Sequence, residues 1–179
     1  MQRERKLIRL KNYDYSTPGA YFISICVHNR LSVFGNIINT RMELNSCGQI
    51  VEQQWKWLFD QYDYLKIDEY CIMPNHFHGI IWIRSENVMD DVGNDVGNDV
   101  GNSRDCSLHG RQTKIKPIPE LVGAFKTTSS KLIHLSGNES FKWQKSFHDR
   151  IIRNETELYR IQKYIIENPI HWNEDDYYS

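Results

Sequence analysis

Residues 70–83 read Tyr-Cys-Ile-Met-Pro-Asn-His-Phe-His-Gly-Ile-Ile-Trp-Ile, and no other stretch restricts the fold as tightly. Pro74 presets φ at the first central position of a turn and Asn75 tolerates the second, so a strand entering near Leu65 reverses here and His76 opens the returning strand. Side chains alternate along a strand, so His76 and His78 share one face about 7 Å apart, while Phe77, Ile81 and Ile83 take the other. Ile80 and Trp82 continue the histidine face with apolar groups. A strand apolar on both faces belongs in the middle of a sheet, covered on both sides.

Two imidazoles at that spacing can chelate one cation, and neutral ring nitrogens suit zinc, manganese, iron or, less readily, magnesium. Two histidines at a strand end can equally each hydrogen-bond a neighbour, and the pair by itself does not choose. The rest of the chain bounds the choice. At 179 residues, with 40% hydrophobic content, five Trp and ten Tyr, it suits one folded domain with a sizeable core. The first ten residues carry charges where a signal peptide needs an apolar stretch, and no segment approaches the roughly 20 apolar residues of a membrane span, so a cytoplasmic protein without a membrane partner is expected. Cys26, Cys47, Cys71 and Cys106 are widely spaced without a Cys-x-x-Cys, which argues against a disulfide framework or a four-cysteine zinc site.

The net charge of −1 gives no general case for nucleic acid, but the cations are unevenly placed. Arg3, Arg5, Lys6, Arg9 and Lys11 form a basic arm. Lys126, Lys131, Arg150, Arg153 and Lys163 belong to a basic C-terminal third, whose offsetting acids lie largely near Asp91 and in the tail Glu174-Asp175-Asp176.

Tyr21 to His28 and Leu31 to Ile38 are rich in β-branched and aromatic residues and flank Asn29-Arg30, so they are predicted to pair as a hairpin. Ile50, Val51, Trp55, Leu58 and Phe59 then recur at helical spacing, with Asn45 or Ser46 as cap and Asp60 to Asp63 as the end. Tyr64 to Met73 is a strand, and the histidine strand follows it. Residues 85–117 break the pattern with Asp-Val-Gly-Asn three times from Asp91 to Asn102. Gly at every fourth residue resists helix and strand, and the ligand order of a calcium loop is missing, so a flexible insertion is expected. Leu121, Val122, Phe125, Thr128, Leu132 and Leu135 then mark a helix opened near Pro119 and ended by Gly137-Asn138. Phe141 to Phe147 alternates as a last strand would. In the final helix Asn154 is the cap, Pro169 ends it, and Leu158, Ile161 and Ile165 form the buried stripe. On a 100° wheel Tyr164 and Asn168 share one edge of that helix.

Met73-Pro74-Asn75-His76-Phe77-His78 resembles the HUH motif (His, bulky apolar, His) of the single-tyrosine HUH transposases, and the run Tyr164 to Pro169 is similar to their nucleophile helix. The branch most resembled is the REP-associated tyrosine transposases; Tyr13 to Cys26 and Trp143 to Asn154 add to the likeness, which spans nearly the whole chain outside the Asp-Val-Gly-Asn insertion. The resemblance implies an α+β, ferredoxin-like fold with a mainly antiparallel sheet and packed helices. It also implies roles: His76, His78 and Asn168 binding magnesium or manganese, Asn168 standing where the insertion-sequence branch commonly has Gln, and Tyr164 attacking DNA. The implied activity is cleavage and rejoining of single-stranded or hairpin DNA through a 5′-phosphotyrosine, by a monomer or homodimer; the charges of the C-terminal third, among them Lys126, Lys131, Arg150, Arg153 and Lys163, are expected to surround that nucleophile and hold the strand. Two other readings stay open: a zinc hydrolase using His76, His78 and a third ligand such as Cys71 or His148, and a non-catalytic nucleic-acid-binding module on the same fold.

Overall fold

The computed structural model describes residues 10, 12–85 and 114–175. The basic N-terminal arm (Arg3, Arg5, Lys6, Arg9 and Lys11), the Asp-Val-Gly-Asn repeat and the extreme C-terminus lie outside the described residues. Six strands and three α-helices follow in the order β1 (Gly19–Cys26), β2 (Gly35–Ile38), β3 (Arg41–Leu44), α1 (Ser46–Asp60), β4 (Leu65–Ile72), β5 (His76–Ile83), α2 (Ile118–Leu135), β6 (His148–Ile152) and α3 (Glu155–Glu167). The result is an α+β fold whose main sheet is antiparallel, with strand order β4-β5-β1-β6.

The reversal at Pro74-Asn75 joins β4 to β5, closed by Met73 N–H donating to His76 O at 2.8 Å. β5 lies between β4 and β1 and is buried along nearly its whole length, as its two-sided apolar pattern requires. Helix caps fall where short polar side chains stand: Asn45 Oδ1 accepts from Gly48 N–H and Asn154 Oδ1 from Glu157 N–H.

Two strand assignments are corrected. β1 does not pair with the segment after Asn29-Arg30, because β5 and β6 occupy both of its edges. With no edge left there, β2 folds instead onto β3 as a separate two-stranded ribbon, turning at Asn39 and Thr40, both at positive φ (49° and 63°) as a tight hairpin turn demands. Phe141 to Phe147 is not a strand either: Trp143 makes a single bridge to Val27, and the ladder beside β1 begins only at His148. Phe141 and Trp143 alternate inward because both pack on Phe34, not because they belong to a ladder. In α2 the buried stripe is also turned from the expected one. Ser129 and Ile133 face inward while Leu135 is exposed, and the Ser129 hydroxyl is satisfied by Phe125 O and by the Trp143 indole N–H.

The sheet has two differently built faces. Tyr21, Ile23 and Ile25 of β1 and Phe77, Ile81 and Ile83 of β5 meet α1 and α2 in a large aromatic core around Trp55, whose ring centroid lies 4.5 Å from Phe77 and 5.3 Å from Phe125. Gly79 lets Trp55 lie flush on β5, since a Cβ there would come within 2.6 Å of Trp55 Cζ2. Among the described residues α3 is the one α-helix on the other face, on a small cluster of Ala20, Ile80, Ile152 and Ile165 flanked by Phe22, Trp82, Leu158 and Ile161. Among the described residues no helix is long and apolar enough to cross a membrane.

Candidate active site

His76 and His78 project from the start of β5 onto the α3 face, both essentially fully buried, with ring centroids 4.5 Å apart. Their surroundings set their chemistry. The Asn75 side chain donates to Arg30 O at 3.2 Å, which leaves its Oδ1 to accept from His76 Nδ1 at 2.8 Å. An amide oxygen only accepts, so the His76 proton sits on Nδ1 and the Nε2 lone pair points into the site. Burial pushes the His76 pKa down to about 4, against a smaller upward pull from the Asp175 carboxylate and the Asn168 side chain. Burial drives His78 well below the usual imidazole range, with His76 and His148 adding to the effect. Both rings are therefore neutral at pH 7, the state in which imidazole binds metals.

α3 brings the other groups. It runs across the face so that its last turns reach the histidines, placing the Tyr164 hydroxyl 3.2 Å from His78 Nε2 and its ring edge-on to Phe22 and His78. Tyr164 is 44% exposed and lines the cleft beside the buried histidines. Asn168, one turn later, is buried, and its amide N–H donates to Asp175 Oδ2 at 3.0 Å. Asn168 Oδ1 is buried with no well-formed hydrogen bond among the described residues, which is what a donor awaiting a cation looks like.

Asp175 is the residue that the sequence did not reveal. Counted from the sequence as one acid of the tail Glu174-Asp175-Asp176, it instead folds back. Beyond Pro169 the chain turns through a short 3-10 segment, Trp172–Glu174, whose Trp172 packs on the His76 ring at 5.9 Å between centroids. Asp175 Oδ2 then lies 3.9 Å from His76 Nε2, and its side chain is 5% exposed. His76, His78 and Asp175 each offer a ligand atom within 4.8 Å of the others, so this group can hold a metal ion. Two neutral imidazoles, one carboxylate and a buried amide oxygen fit a divalent cation that accepts both nitrogen and oxygen donors. Nothing in the spacing after Pro169 signals this closure. The ligands offered for a zinc hydrolase fare differently: His148 lines the cleft but stands outside the cluster, and burial pushes the Cys71 thiol far up, away from the thiolate that zinc needs.

The five basic residues expected around Tyr164 are not brought together. Arg150 lines the cleft of about 650 Å³ beside Tyr164 but is paired to Glu157 at 2.6 Å. Arg153 lies in an adjoining depression that shares Arg150 and Arg160 with it. Lys163 reaches Glu167 at 3.8 Å on the exposed side of α3. Lys126 and Lys131 sit on α2, across the sheet, because α2 packs against the Phe77 face and not the histidine face. Asp68, at a bulge in β4, is a further residue not foreseen: it accepts from Trp82 Nε1 at 2.7 Å and from Gln162 Nε2 at 2.8 Å, tying α3 to the sheet edge.

The α+β fold is similar to that in the structure of a REP-associated tyrosine transposase bound to a REP hairpin. That chain superposes with a TM-score of 0.55 at 16% identity, covering 92% of this chain and 73% of its own, so the two share a fold. No family model matches the sequence. The chain belongs to the same family as an uncharacterized protein of Haemophilus influenzae, which is 35% identical over 174 residues, 97% of this chain and 93% of the other.

Proposed function

We propose that the whole chain forms one catalytic domain that cleaves and rejoins single-stranded or hairpin DNA through a 5′-phosphotyrosine on Tyr164, with magnesium or manganese held by His76, His78, Asn168 and Asp175. The observation that carries this reading is the Tyr164 hydroxyl, on a half-exposed side chain lining the cleft, 3.2 Å from His78 Nε2 at the edge of the only group of potential metal ligands found among the described residues. The shared fold adds weight to it.

The residues divide the work. Tyr164 Oη attacks the phosphorus, the bond from phosphorus to the 3′-oxygen breaks, the phenolic proton leaves and the departing 3′-oxygen takes one up. The product is a 5′-phosphotyrosine and a free 3′-hydroxyl, so a second 3′-hydroxyl can reverse the exchange and join new ends without a nucleotide cofactor. A bound divalent ion supplies charge stabilisation at the phosphate oxygens, which matters because a phenol with pKa about 10 is a weak nucleophile at pH 7. Asn75 fixes the His76 tautomer, Asp175 orients the Asn168 amide, and Asp68 holds α3 through Gln162. In this reading Arg150 in the Tyr164 cleft and Arg153 in the adjoining depression contact the strand.

The test is a denaturing gel of labelled hairpin oligonucleotides with manganese, comparing the chain with Tyr164→Phe, which keeps the ring and removes only the hydroxyl. A protein–DNA adduct that disappears in the Phe variant supports the reading. Metal-dependent cleavage without an adduct in either protein favours a hydrolase that uses water.

A further inference from the structure

Ser24 lies in β1 on the face that carries the histidines, because Phe22 and Ser24 alternate to that side while Ile23 and Ile25 enter the aromatic core. It is 4% exposed, and its hydroxyl oxygen is buried with no hydrogen-bond partner among the described residues. A buried hydroxyl left in that state costs stability, and an alanine at the same place would carry no such cost. The strand register shows what the hydroxyl stands beside. Ser24 is directly opposite His78 of β5 on one side and His148 of β6 on the other, so three adjacent strands set one hydroxyl in a row between two imidazoles. Side chains so opposed have Cβ atoms about 5 Å apart.

We propose that Ser24 is a positioning residue for the cation site: its hydroxyl accepts from His78 Nδ1–H when a divalent ion is bound, and so fixes the tautomer that turns the Nε2 lone pair to the ion. This rests on the reading of His78 as a ligand given above. The Tyr164 hydroxyl, 3.2 Å from His78 Nε2, marks that nitrogen as the one turned to the cleft. With the lone pair needed there, the ring proton belongs on Nδ1, inside a side chain that is 1% exposed. A ligating imidazole keeps its orientation and basicity through the acceptor that takes its other proton, the part Asn75 Oδ1 plays for His76. Level with His78 on its two neighbouring strands stand Cys71 and Ser24. Burial keeps the Cys71 thiol protonated and sulfur is a weak acceptor, so Ser24 is the neighbour with an oxygen to offer. His148, on the far side of Ser24, is exposed at the cleft wall, where solvent serves its ring. Rotation about the Cα–Cβ bond alone moves the serine oxygen between its staggered positions, so the bond to His78 needs no backbone change.

The experiment titrates manganese by calorimetry into the full chain and into Ser24→Ala, and melts both in a chelator. We expect the variant to bind manganese about tenfold or more weakly, the usual effect of losing a ligand's outer hydrogen bond. Its melting midpoint in chelator should equal that of the full chain or exceed it, since alanine removes a hydroxyl that the ion-free fold leaves without a partner. Ser24→Thr, which keeps a hydroxyl on the same carbon and suits a strand, should restore the affinity. Equal manganese affinity in the full chain and Ser24→Ala overturns the proposal, and so does an equal loss in the Ala and Thr variants. A lowered midpoint of Ser24→Ala in chelator also overturns it, by marking Ser24 as packing support. The two readings fail separately: a full chain that binds no manganese removes the ligand role of His78 and this proposal with it, whereas binding weakened in Ser24→Ala with no DNA adduct from the full chain sustains Ser24 and removes only the nucleophile.

Discussion

The two faces of the β4-β5-β1-β6 sheet are built to opposite ends. Against one face α1 and α2 bury eleven residues between them, and the rings of Trp55, Phe77 and Phe125 interlock. Against the other, α3 fully buries only Ile165 and is otherwise held by half-buried Leu158 and Ile161 and by the Asp68 to Gln162 hydrogen bond. The first face is dry and close-packed. The second places two neutral histidines, a buried asparagine and a carboxylate where a core of equal size would have put aliphatic side chains, and so forgoes stability for polar chemistry. β5 serves both, with Phe77 turned to one side and His76 and His78 to the other.

If that division is right, equal damage to the two faces has unequal results. Trp55→Ala should cost about 4 kcal/mol, in the range of large core truncations, and lower the thermal midpoint by roughly 10 °C or more, while Ile165→Ala on the thin face should cost about half as much. Calorimetry of the two variants checks this, and a larger loss for Ile165 would break the comparison.

The next effect is one of pH. Burial holds the His76 pKa at about 4, below the 6.5 of an unfolded histidine. Between those values the unfolded chain binds a proton that the folded chain refuses, so stability is full above pH 6.5 and falls as the pH drops toward 4, by about 3 kcal/mol from this one group. Urea unfolding at pH 7.5, 5.5 and 4.5 in the presence of a chelator should show that decline, and His76→Gln should flatten it. A metal bound at the site should steepen the dependence, since protons and the cation compete for the same nitrogens.

Two smaller changes probe how the faces are joined. Gly79→Ala forces a methyl against Trp55 from the strand that carries the histidines and should cost about 2 kcal/mol, an overpacking penalty, measurable by denaturant titration. Asp68→Asn keeps the size of the side chain but weakens its hold on Trp82 and Gln162. It should cost about 1 kcal/mol, with amide hydrogen exchange rising in α3 and not in α1 or α2.

How much of this could be read from the chain follows the range of the interactions involved. β5 was legible because its turn residues and its two-sided apolar pattern are local, and α1 and α3 because Asn45 and Asn154 announce their own caps. The partners of β1 were not, since β5 and β6 reach it from some fifty and over a hundred residues away, while Leu31 to Ile38 only looked like the nearer match. The histidine pair, Tyr164 and Asn168 stood out through strand and helix periodicity. Asp175 did not, because its place depends on a turn after Pro169 and on Trp172 finding the His76 ring, neither of which has a periodic signature. The lysines of α2 were visible as charges, but the side of the sheet on which a helix lands is a tertiary fact, and it moved Lys126 and Lys131 away from Tyr164.

The central claim is that the thin face makes a covalent bond to DNA at Tyr164. The most direct measurement is mass-spectrometric mapping of the chain after reaction with a single-stranded or hairpin oligonucleotide and manganese, followed by nuclease trimming and proteolysis. The account predicts a nucleotide-bearing peptide modified at Tyr164. The same mass on Tyr159, or DNA cleaved in a metal-dependent way with every tyrosine peptide unmodified, would contradict it.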